Sequence, residues 1–379
     1  MVTIMKQIQR IIIKVGSSSL VLKNGNINND AINELINTIN ELMLQGKEVA
    51  LVTSGAIAIG MGKLGLSVKP KKMSLKQACA ALGQATLMNE YEKCANKYNI
   101  LCAQILVNHD DFENRNRMTH LSNTLEELFD NKILPIINEN DALNVDEIKV
   151  GDNDTLAALI SPMINADLLV LASDIDGLYD KNPKQYDDAK KIDYVYKIDK
   201  TIDDMIGDIT SNVGTGGMET KIKAARICTK VGCDMAIISS NDINKIMNLI
   251  NGEKIGTLFL SQEKKMHSKE HWIVYNTYGK GTIVIDDGAK SALLERKSLL
   301  PKGIISINGI FNDNTVVFIS DKQNNIIAKG ITNFSSNDIL LIKGKHSNEA
   351  KKILNADKEE IIHANSLVLI EGDEYGKIK

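Results

Sequence analysis

Short apolar segments alternate with amphipathic helical patterns through the first two thirds of this chain. Apolar runs of this length, rich in β-branched residues, are typical of buried parallel strands. Strands that alternate with helices predict a mostly parallel central sheet covered by helices on both faces. The predicted strands are 9–15, 48–53, 101–107, 133–137, 167–171 and 234–238, and the predicted helices are 30–45, 74–98, 119–131 and a segment ending at 231.

The alternation stops between residues 261 and 280, where charged residues, His267, His271 and the single tryptophan Trp272 are found. We therefore predict a first domain over residues 1–262, a linker over 263–279 and a second domain over 280–379. Short strand-like runs separated by Asn- and Asp-rich turns predict a small β-barrel or sandwich with one or two short helices in the second domain. These runs are 282–285, 304–310, 316–319, 326–331 and 367–370.

The composition argues against several classes of protein. A net charge of −3 gives no general attraction to nucleic acid or anionic membranes, and 4% aromatic residues leave little for a base-stacking surface. No apolar run approaches the roughly 20 residues that a membrane helix needs, and nothing resembles a signal peptide. Five cysteines without a C-x-x-C pair predict reduced thiols. We therefore expect a soluble, cytoplasmic protein.

Polar residues cluster on both sides of the loop that follows strand 133–137. Asn138, Glu139, Asn140 and Asp141 follow the strand, and Asp152, Asn153 and Asp154 precede the next helix. Capping of that helix accounts for one such residue but not for two dense clusters. Open parallel sheets bind ligands at the carboxyl ends of their strands. The sequence therefore predicts an active site for a small, charged substrate here.

Two lysines lie beside glycine-rich segments that could approach phosphate. Lys14 ends a hydrophobic strand and precedes Gly16 and three serines, and Lys221 follows the run Thr215-Gly216-Gly217 into a helix. Backbone N–H groups in such segments bind anions, and lysine adds positive charge. No Walker A motif occurs. A lysine that only extends from the sheet edge into solvent is the alternative for Lys14.

The combination of two lysines, backbone donors and carboxylates favours phosphoryl transfer. No histidine lies in the strand-end clusters, so the usual general base is missing. A carboxylate acceptor needs no base because it is already ionised at neutral pH, whereas a hydroxyl acceptor usually does. The site therefore suits transfer to a carboxylate or a phosphate better than to an alcohol.

Five motifs resemble those of the glutamate 5-kinase family: IIKVGSS at 12–18, VTSGAI at 52–57, INENDA at 137–142, KVGDND at 149–154 and GTGGMETK at 214–221. The segment LPKGI at 300–304 resembles the PUA domain that many members carry. The resemblance implies an amino-acid-kinase-like three-layer αβα sandwich with a mostly parallel sheet, and a small C-terminal PUA-like β-barrel domain. It also implies ATP-dependent phosphorylation of the γ-carboxylate of L-glutamate, the first step of proline biosynthesis.

The same resemblance implies roles for individual residues. Lys14 and Lys221 would stabilise the transferring phosphoryl group, and Asp154 would orient both. Ser54, Asp141 and Asn153 would bind glutamate, Asp141 suiting the ammonium group and the other two the carboxylate oxygens. Asn138 and Asp152 are further candidates for this subsite. The ATP-binding positions would be Lys14, Gly16, Ser173, Asp174, Thr215, Gly216, Gly217, Met218, Glu219, Thr220 and Lys221. Mg²⁺ would arrive on the ATP phosphates, without a metal site made by the protein.

Further family traits are homo-oligomerisation as a dimer or tetramer, feedback inhibition by proline, and rapid transfer of the labile product to γ-glutamyl phosphate reductase. Two alternatives remain. The substrate could be another acid such as aspartate, since one methylene gives only about 1–3 kcal/mol of discrimination. The chain could instead bind RNA through its PUA-like part, although residues 280–358 hold only twelve Lys/Arg against eight Asp/Glu.

Overall fold

The computed structural model describes residues 8–22, 24–143, 153–183, 185–209, 217–261, 273, 279–355 and 358–370. The chain separates into two compact units, Met1–Lys265 and Met266–Lys379. Each unit has its own hydrophobic core. The domain and linker limits expected from the sequence stay a prediction.

An eight-stranded sheet forms the centre of the first unit. Its strands are β1 (Arg10–Val15), β2 (Glu48–Val52), β3 (Cys102–Val107), β4 (Leu134–Glu139), β5 (Leu168–Ser173), β6 (Tyr194–Val195), β7 (Asp234–Ser239) and β8 (Thr257–Phe259). Their order in the sheet is β3-β4-β2-β1-β5-β7-β8-β6, and every neighbouring pair is parallel except β7 and β8. The mostly parallel sheet is therefore confirmed.

Helices cover both faces of this sheet. Successive side chains of β1 point to opposite faces, and those on both faces are largely buried. Ile11, Ile13 and Val15 pack into a core with the helix Asn29–Leu44, whereas Lys14 points to the opposite face and contacts the helix Asn153–Ile160. The helices are α1 (Ser17–Leu20), α2 (Asn29–Leu44), α3 (Ala56–Lys63), α4 (Met73–Asn96), α5 (His109–Glu113), α6 (Arg115–Asp130), α7 (Asn153–Ile160), α8 (Lys200–Ile209), α9 (Met218–Lys230) and α10 (Ile246–Ile250), and a 3-10 helix spans Ser240–Lys245.

Helices α3 and α4 contact each other through their backbones. A Cβ atom added at Gly60 would lie 1.9 Å from the carbonyl oxygen of Cys79, and one added at Gly83 would lie 1.8 Å from that of Ala56. Real Cβ atoms do not approach so closely, so only glycine fits at either position. The contact holds α4 against the start of α3, next to Ser54.

The described residues of the second unit form β9 (Thr282–Ile285), β10 (Ile304–Asn308), β11 (Val316–Ser320), β12 (Ile326–Ile331), β13 (Leu367–Leu369), α11 (Asp287–Leu294), α12 (Ser336–Ile342) and α13 (Ser347–Leu354), with 3-10 turns at Pro301–Gly303 and Ala364–Ser366. The strands make a mixed sheet with the order β10-β9-β11-β12-β13, in which β9 and β11 pair in parallel and the other neighbours are antiparallel. The small β domain is confirmed, while closure of its sheet into a barrel stays a prediction. The three short α-helices among these described residues are one more than the sequence suggested.

All five cysteines are free thiols, four of them buried, in agreement with the sequence. Burial raises the pKa of the Cys102 thiol to about 11, so this thiol is protonated at neutral pH. In the part of the chain that the structure describes, no helix combines the length and the hydropathy that crossing a membrane would require.

Candidate active site

Six parallel strands, β1 to β5 and β7, end at one edge of the large sheet, and small or polar residues follow each of them. Since β1, β2, β4, β5 and β7 run in the same direction, their carboxyl ends meet at this edge. The polar positions at or just beyond these ends are Gly16, Ser54, Asn138, Ser173 and Ser239. This is the edge where open α/β sheets bind ligands.

Two lysines distant in the sequence meet at one carboxylate. Lys14 Nζ lies 2.5 Å from Asp154 Oδ1, and Lys221 Nζ lies 2.9 Å from Asp154 Oδ2. The three residues come from the end of β1 and from the first turns of α7 and α9. The side chain of Asp154 is 1% exposed, that of Lys221 4% and that of Lys14 11%. The structure therefore brings together the three residues expected to act in catalysis.

The charges in this triad depend on each other. Burial acts to raise the pKa of Asp154, but the charges and hydrogen bonds of Lys14 and Lys221 outweigh it and lower that pKa below its ordinary value. The carboxylate therefore stays ionised between two ammonium groups. With one negative and two positive charges, the triad retains positive charge that can attract a phosphate group.

A chain of hydrogen bonds joins the ends of β2 and β4 to the start of α7. Asn153 Nδ2 donates to the carbonyl oxygen of Thr53 at 2.5 Å, to Ser54 Oγ at 2.7 Å and to Asn138 Oδ1 at 3.0 Å. Asn138 Nδ2 in turn donates to Gln84 Oε1 at 2.9 Å. The structure thus brings Ser54, Asn138 and Asn153 together, as expected for a shared subsite.

The direction of these bonds revises the expected chemistry of Asn153. Its two N–H groups are shared among these three protein acceptors, which leaves the amide oxygen, Oδ1, to offer a ligand. Such an acceptor suits an ammonium group rather than the carboxylate oxygens expected from the sequence. Ser54 Oγ accepts from Asn153, which leaves the Ser54 hydroxyl hydrogen available for a carboxylate.

The remaining predicted positions lie around these two clusters. Asp141 is partly buried in the turn after β4, and the Ser173 hydroxyl donates to Asp174 Oδ1 at 2.9 Å at the end of β5. Gly16 immediately precedes α1 and Gly217 precedes α9. Met218, Glu219 and Thr220 form the first turn of α9, where Thr220 Oγ1 donates to the Gly217 carbonyl at 2.8 Å. Asp152, Thr215 and Gly216 lie outside the described residues.

Sequence reasoning missed the support from α4. Tyr91 OH and Thr53 Oγ1 are 2.7 Å apart, and burial raises the pKa of Tyr91 well above its ordinary value. Gln84 lies on the same buried stripe, between Ala80 and Leu87. The sequence did contain a signal for Gln84: it is a polar residue four positions after Ala80, in an otherwise apolar stripe of the helix.

Comparison with known proteins identifies the fold and its relatives. The model of the amino acid kinase family matches residues 9–239, more than half of the 379-residue chain. The chain belongs to the amino acid kinase family. A PUA domain model matches residues 281–354, so this amino acid kinase also carries the expected C-terminal PUA domain.

Relatives of this amino acid kinase extend over nearly all of its length. A glutamate 5-kinase of Thermoanaerobacter sp. (strain X514) is 44% identical over 371 residues, covering 97% of this chain and 100% of the relative. A glutamate 5-kinase of Methanosarcina acetivorans is 38% identical over 377 residues, covering 97% of each chain. The resemblance to the glutamate 5-kinase family is confirmed. Carbamate kinase from Giardia lamblia bound to AMP-PNP shares the fold, with a TM-score of 0.50, 16% identity and coverage of 68% of this chain and 99% of that one.

Proposed function

We propose that this chain catalyses the ATP-dependent phosphorylation of the γ-carboxylate of L-glutamate, giving L-glutamyl 5-phosphate for proline biosynthesis. The observation that carries the proposal is the buried contact of Lys14 and Lys221 with Asp154 at the ligand-binding edge of the sheet. The full-length relatives named glutamate 5-kinase support the choice of reaction and substrate.

The two lysines would stabilise the phosphoryl group during its transfer. Negative charge is spread over the oxygens of that group, so fixed cations lower the barrier without needing to reorganise. Asp154 contacts both ammonium groups and is itself almost fully buried. Its role in the proposal is to hold Lys14 and Lys221 at a fixed separation, so that both ammonium groups can contact the phosphates of ATP.

The acceptor would bind against the hydrogen-bonded cluster of Ser54, Asn138 and Asn153. Asn153 Oδ1 and the Asp141 carboxylate would accept from the α-ammonium group, and the Ser54 hydroxyl would donate to the α-carboxylate. The γ-carboxylate is then the nucleophile, and it needs no general base because it is ionised at neutral pH.

ATP would be bound by Gly16, Ser173, Asp174 and the segment 215–221, whose described part opens α9. A helix N-terminus attracts phosphate through its free N–H groups and its dipole. Mg²⁺ would be held chiefly by the phosphates of ATP, as is usual for this ion, and would neutralise charge as the β–γ bond breaks. Asp152 would complete the glutamate side of the site.

Several properties of the family extend the proposal. The acyl phosphate product hydrolyses readily, so we expect γ-glutamyl phosphate reductase to be the functional partner. The proposal also includes assembly into a dimer or tetramer, inhibition by proline and a cytoplasmic location.

An acyl-phosphate trap tests the reaction directly. The purified chain with ATP, Mg²⁺, hydroxylamine and L-glutamate is expected to form γ-glutamyl hydroxamate, which is measured as its coloured iron complex. Parallel reactions with L-aspartate and N-acetyl-L-glutamate test the alternative acids. Hydroxamate from aspartate but not from glutamate would replace the proposed substrate, and none from any acid would remove the proposed activity.

Replacing Asp141 by alanine is expected to raise the KM for glutamate by about 10- to 100-fold, because a charged hydrogen bond to the α-ammonium contributes roughly 1.5–3 kcal/mol. The KM for ATP should change by less than about threefold, since Asp141 lies after β4 and not among the proposed phosphate-binding segments. Steady-state kinetics with each substrate varied in turn measure both constants.

The exposed Asp130 at the end of α6 provides the matched control for Asp141. Asp130→Ala removes the same charge away from the polar strand ends and should leave both KM values unchanged. Equal increases in the two KM values of Asp141→Ala would mean that this residue supports the structure rather than the substrate.

A further inference from the structure

Gln84 combines deep burial with an incomplete set of hydrogen bonds. It lies on α4, immediately after the glycine that contacts the backbone of α3, and is 8% exposed. Its Oε1 accepts from Asn138 Nδ2 at 2.9 Å. Its Nε2 is buried and has no hydrogen-bond partner within the described part of the chain.

An amide at this position is unfavourable for packing alone. Buried N–H groups without an acceptor lose their hydrogen bonds to water and gain none in return. An apolar side chain of similar length would fit among Ala80, Leu87 and Tyr91 on the same helix face without that penalty. What a glutamine provides and an apolar residue does not is a hydrogen-bond acceptor for Asn138. The function of Gln84 therefore lies in its contact with Asn138.

Gln84 accepts the hydrogen bond from the nitrogen side of the Asn138 amide and so helps to determine which way that amide faces. Because Asn138 Nδ2 donates to Gln84, its Oδ1 faces the other way and accepts from Asn153 Nδ2 at 3.0 Å and from the backbone N–H of Glu139 at 2.9 Å. If the Asn138 amide were rotated by half a turn, its N–H groups would face those of Asn153, and two donors cannot bond each other. The acceptor on α4, the backbone N–H of Glu139 and the amide of Asn153 therefore fix this orientation together.

The orientation of Asn138 affects Asn153 and Ser54, the two residues proposed to contact the amino-acid substrate. Held by Asn138 and by the carbonyl oxygen of Thr53, Asn153 donates to Ser54 Oγ and keeps its own Oδ1 out of these bonds. We propose that Gln84 is a positioning residue for the amino-acid substrate, acting through Asn138 to hold Asn153 and Ser54 in their binding orientations. This inference rests on the proposed phosphorylation of glutamate and names a specificity element of that same site.

The test replaces Gln84 by methionine, which has similar length and no strong acceptor. In Gln84→Met the KM for glutamate is expected to rise about tenfold, or about 1.4 kcal/mol. The KM for ATP and kcat should stay within about threefold of wild type. Asn89→Met is the matched control, because Asn89 is an exposed amide on the same helix that donates to its neighbour Glu90; it should change none of these constants.

A double-mutant cycle separates positioning from a general effect on folding. Asn138→Ala alone should raise the KM for glutamate, and adding Gln84→Met to it should raise the KM by less than about twofold more, because the path through Asn138 is already lost. Independent, multiplicative effects of the two substitutions overturn the proposal. So does an unchanged KM for glutamate in a folded Gln84→Met, or an equal rise in the two KM values.

Gln84→Leu provides a second apolar variant if the methionine variant does not fold, and it carries the same expectations. If neither variant folds, Gln84 is required for the structure and the proposal is overturned. Failure of the proposed function gives a different result, since wild-type protein would then form no hydroxamate from glutamate. If the wild type is active and the Gln84 variants keep the wild-type KM for glutamate, only the positioning role of Gln84 is rejected.

Discussion

Lys221→Ala is expected to lower kcat by about 10²- to 10³-fold while the protein stays folded. Removal of one preorganised donor from a transition-state site typically has an effect of this size. The side chain of Lys221 is 4% exposed and its Nζ contacts Asp154 at 2.9 Å, so alanine removes a fixed, buried cation that water cannot replace with equal charge. Asp154 keeps its contact with Lys14, which limits the loss of stability. Hydroxamate formation at saturating substrates measures kcat, and circular dichroism measures folding.

Lys223 is the control for this substitution. It lies two residues further along α9, is partly exposed and does not contact Asp154. Lys223→Ala removes the same charge from the same helix and should keep kcat within about twofold of wild type. A folded Lys221→Ala protein with wild-type kcat would remove this lysine from the mechanism.

Asp154→Asn is expected to have the second large effect, on both stability and activity. It leaves two buried ammonium groups without their counter-ion, and breaking a buried pair in this way costs about 3–5 kcal/mol. With Lys14 and Lys221 repelling each other, kcat should also fall by at least about 10²-fold. Urea denaturation at pH 7 and the hydroxamate assay measure the two effects. The exposed Asp130→Asn variant is the control and should match wild type.

The stability difference between wild type and Asp154→Asn should depend on pH with a defined sign. The pKa of Asp154 is lowered in the folded state, so the unfolded chain binds this proton more readily. The stabilisation is therefore fully present above the unfolded pKa of about 3.9 and is lost as pH falls through the lower, folded pKa. The difference should be constant between pH 5 and 7 and should shrink below about pH 4. A difference that grew on acidification would contradict the assignment.

The main elements of the large sheet were predictable because strand length and apolar content identify buried parallel strands directly. β6 and β8 were not predicted, since two and three residues are too few to show a period. The helix α3 was not predicted either; it contains Gly60 and Gly62, which disfavour helices in isolation. Packing against α4 stabilises it, and such a long-range contact has no local signature.

The meeting of Lys14, Asp154 and Lys221 could be expected from strand-end position and family motifs. The direction of the Asn153 amide could not, because residue type specifies a donor and an acceptor but not which of them faces the protein. That choice depends on Thr53, Ser54 and Asn138 together. The contribution of Gln84 was missed for the same reason, since it reaches the site from a helix 54 residues earlier in the chain than its partner Asn138.

The crossing of α3 and α4 limits how the acceptor pocket can be remodelled. No side chain separates the two helices at Gly60 and Gly83, so a larger residue at either position would push them apart instead of filling a gap. Ser54 stands just before one helix and Gln84 is on the other, and such a displacement would misalign the two ends of the hydrogen-bonded chain. A homologue that accommodates a longer or shorter acid must therefore change the side chains around this crossing and leave the spacing of the helices as it is.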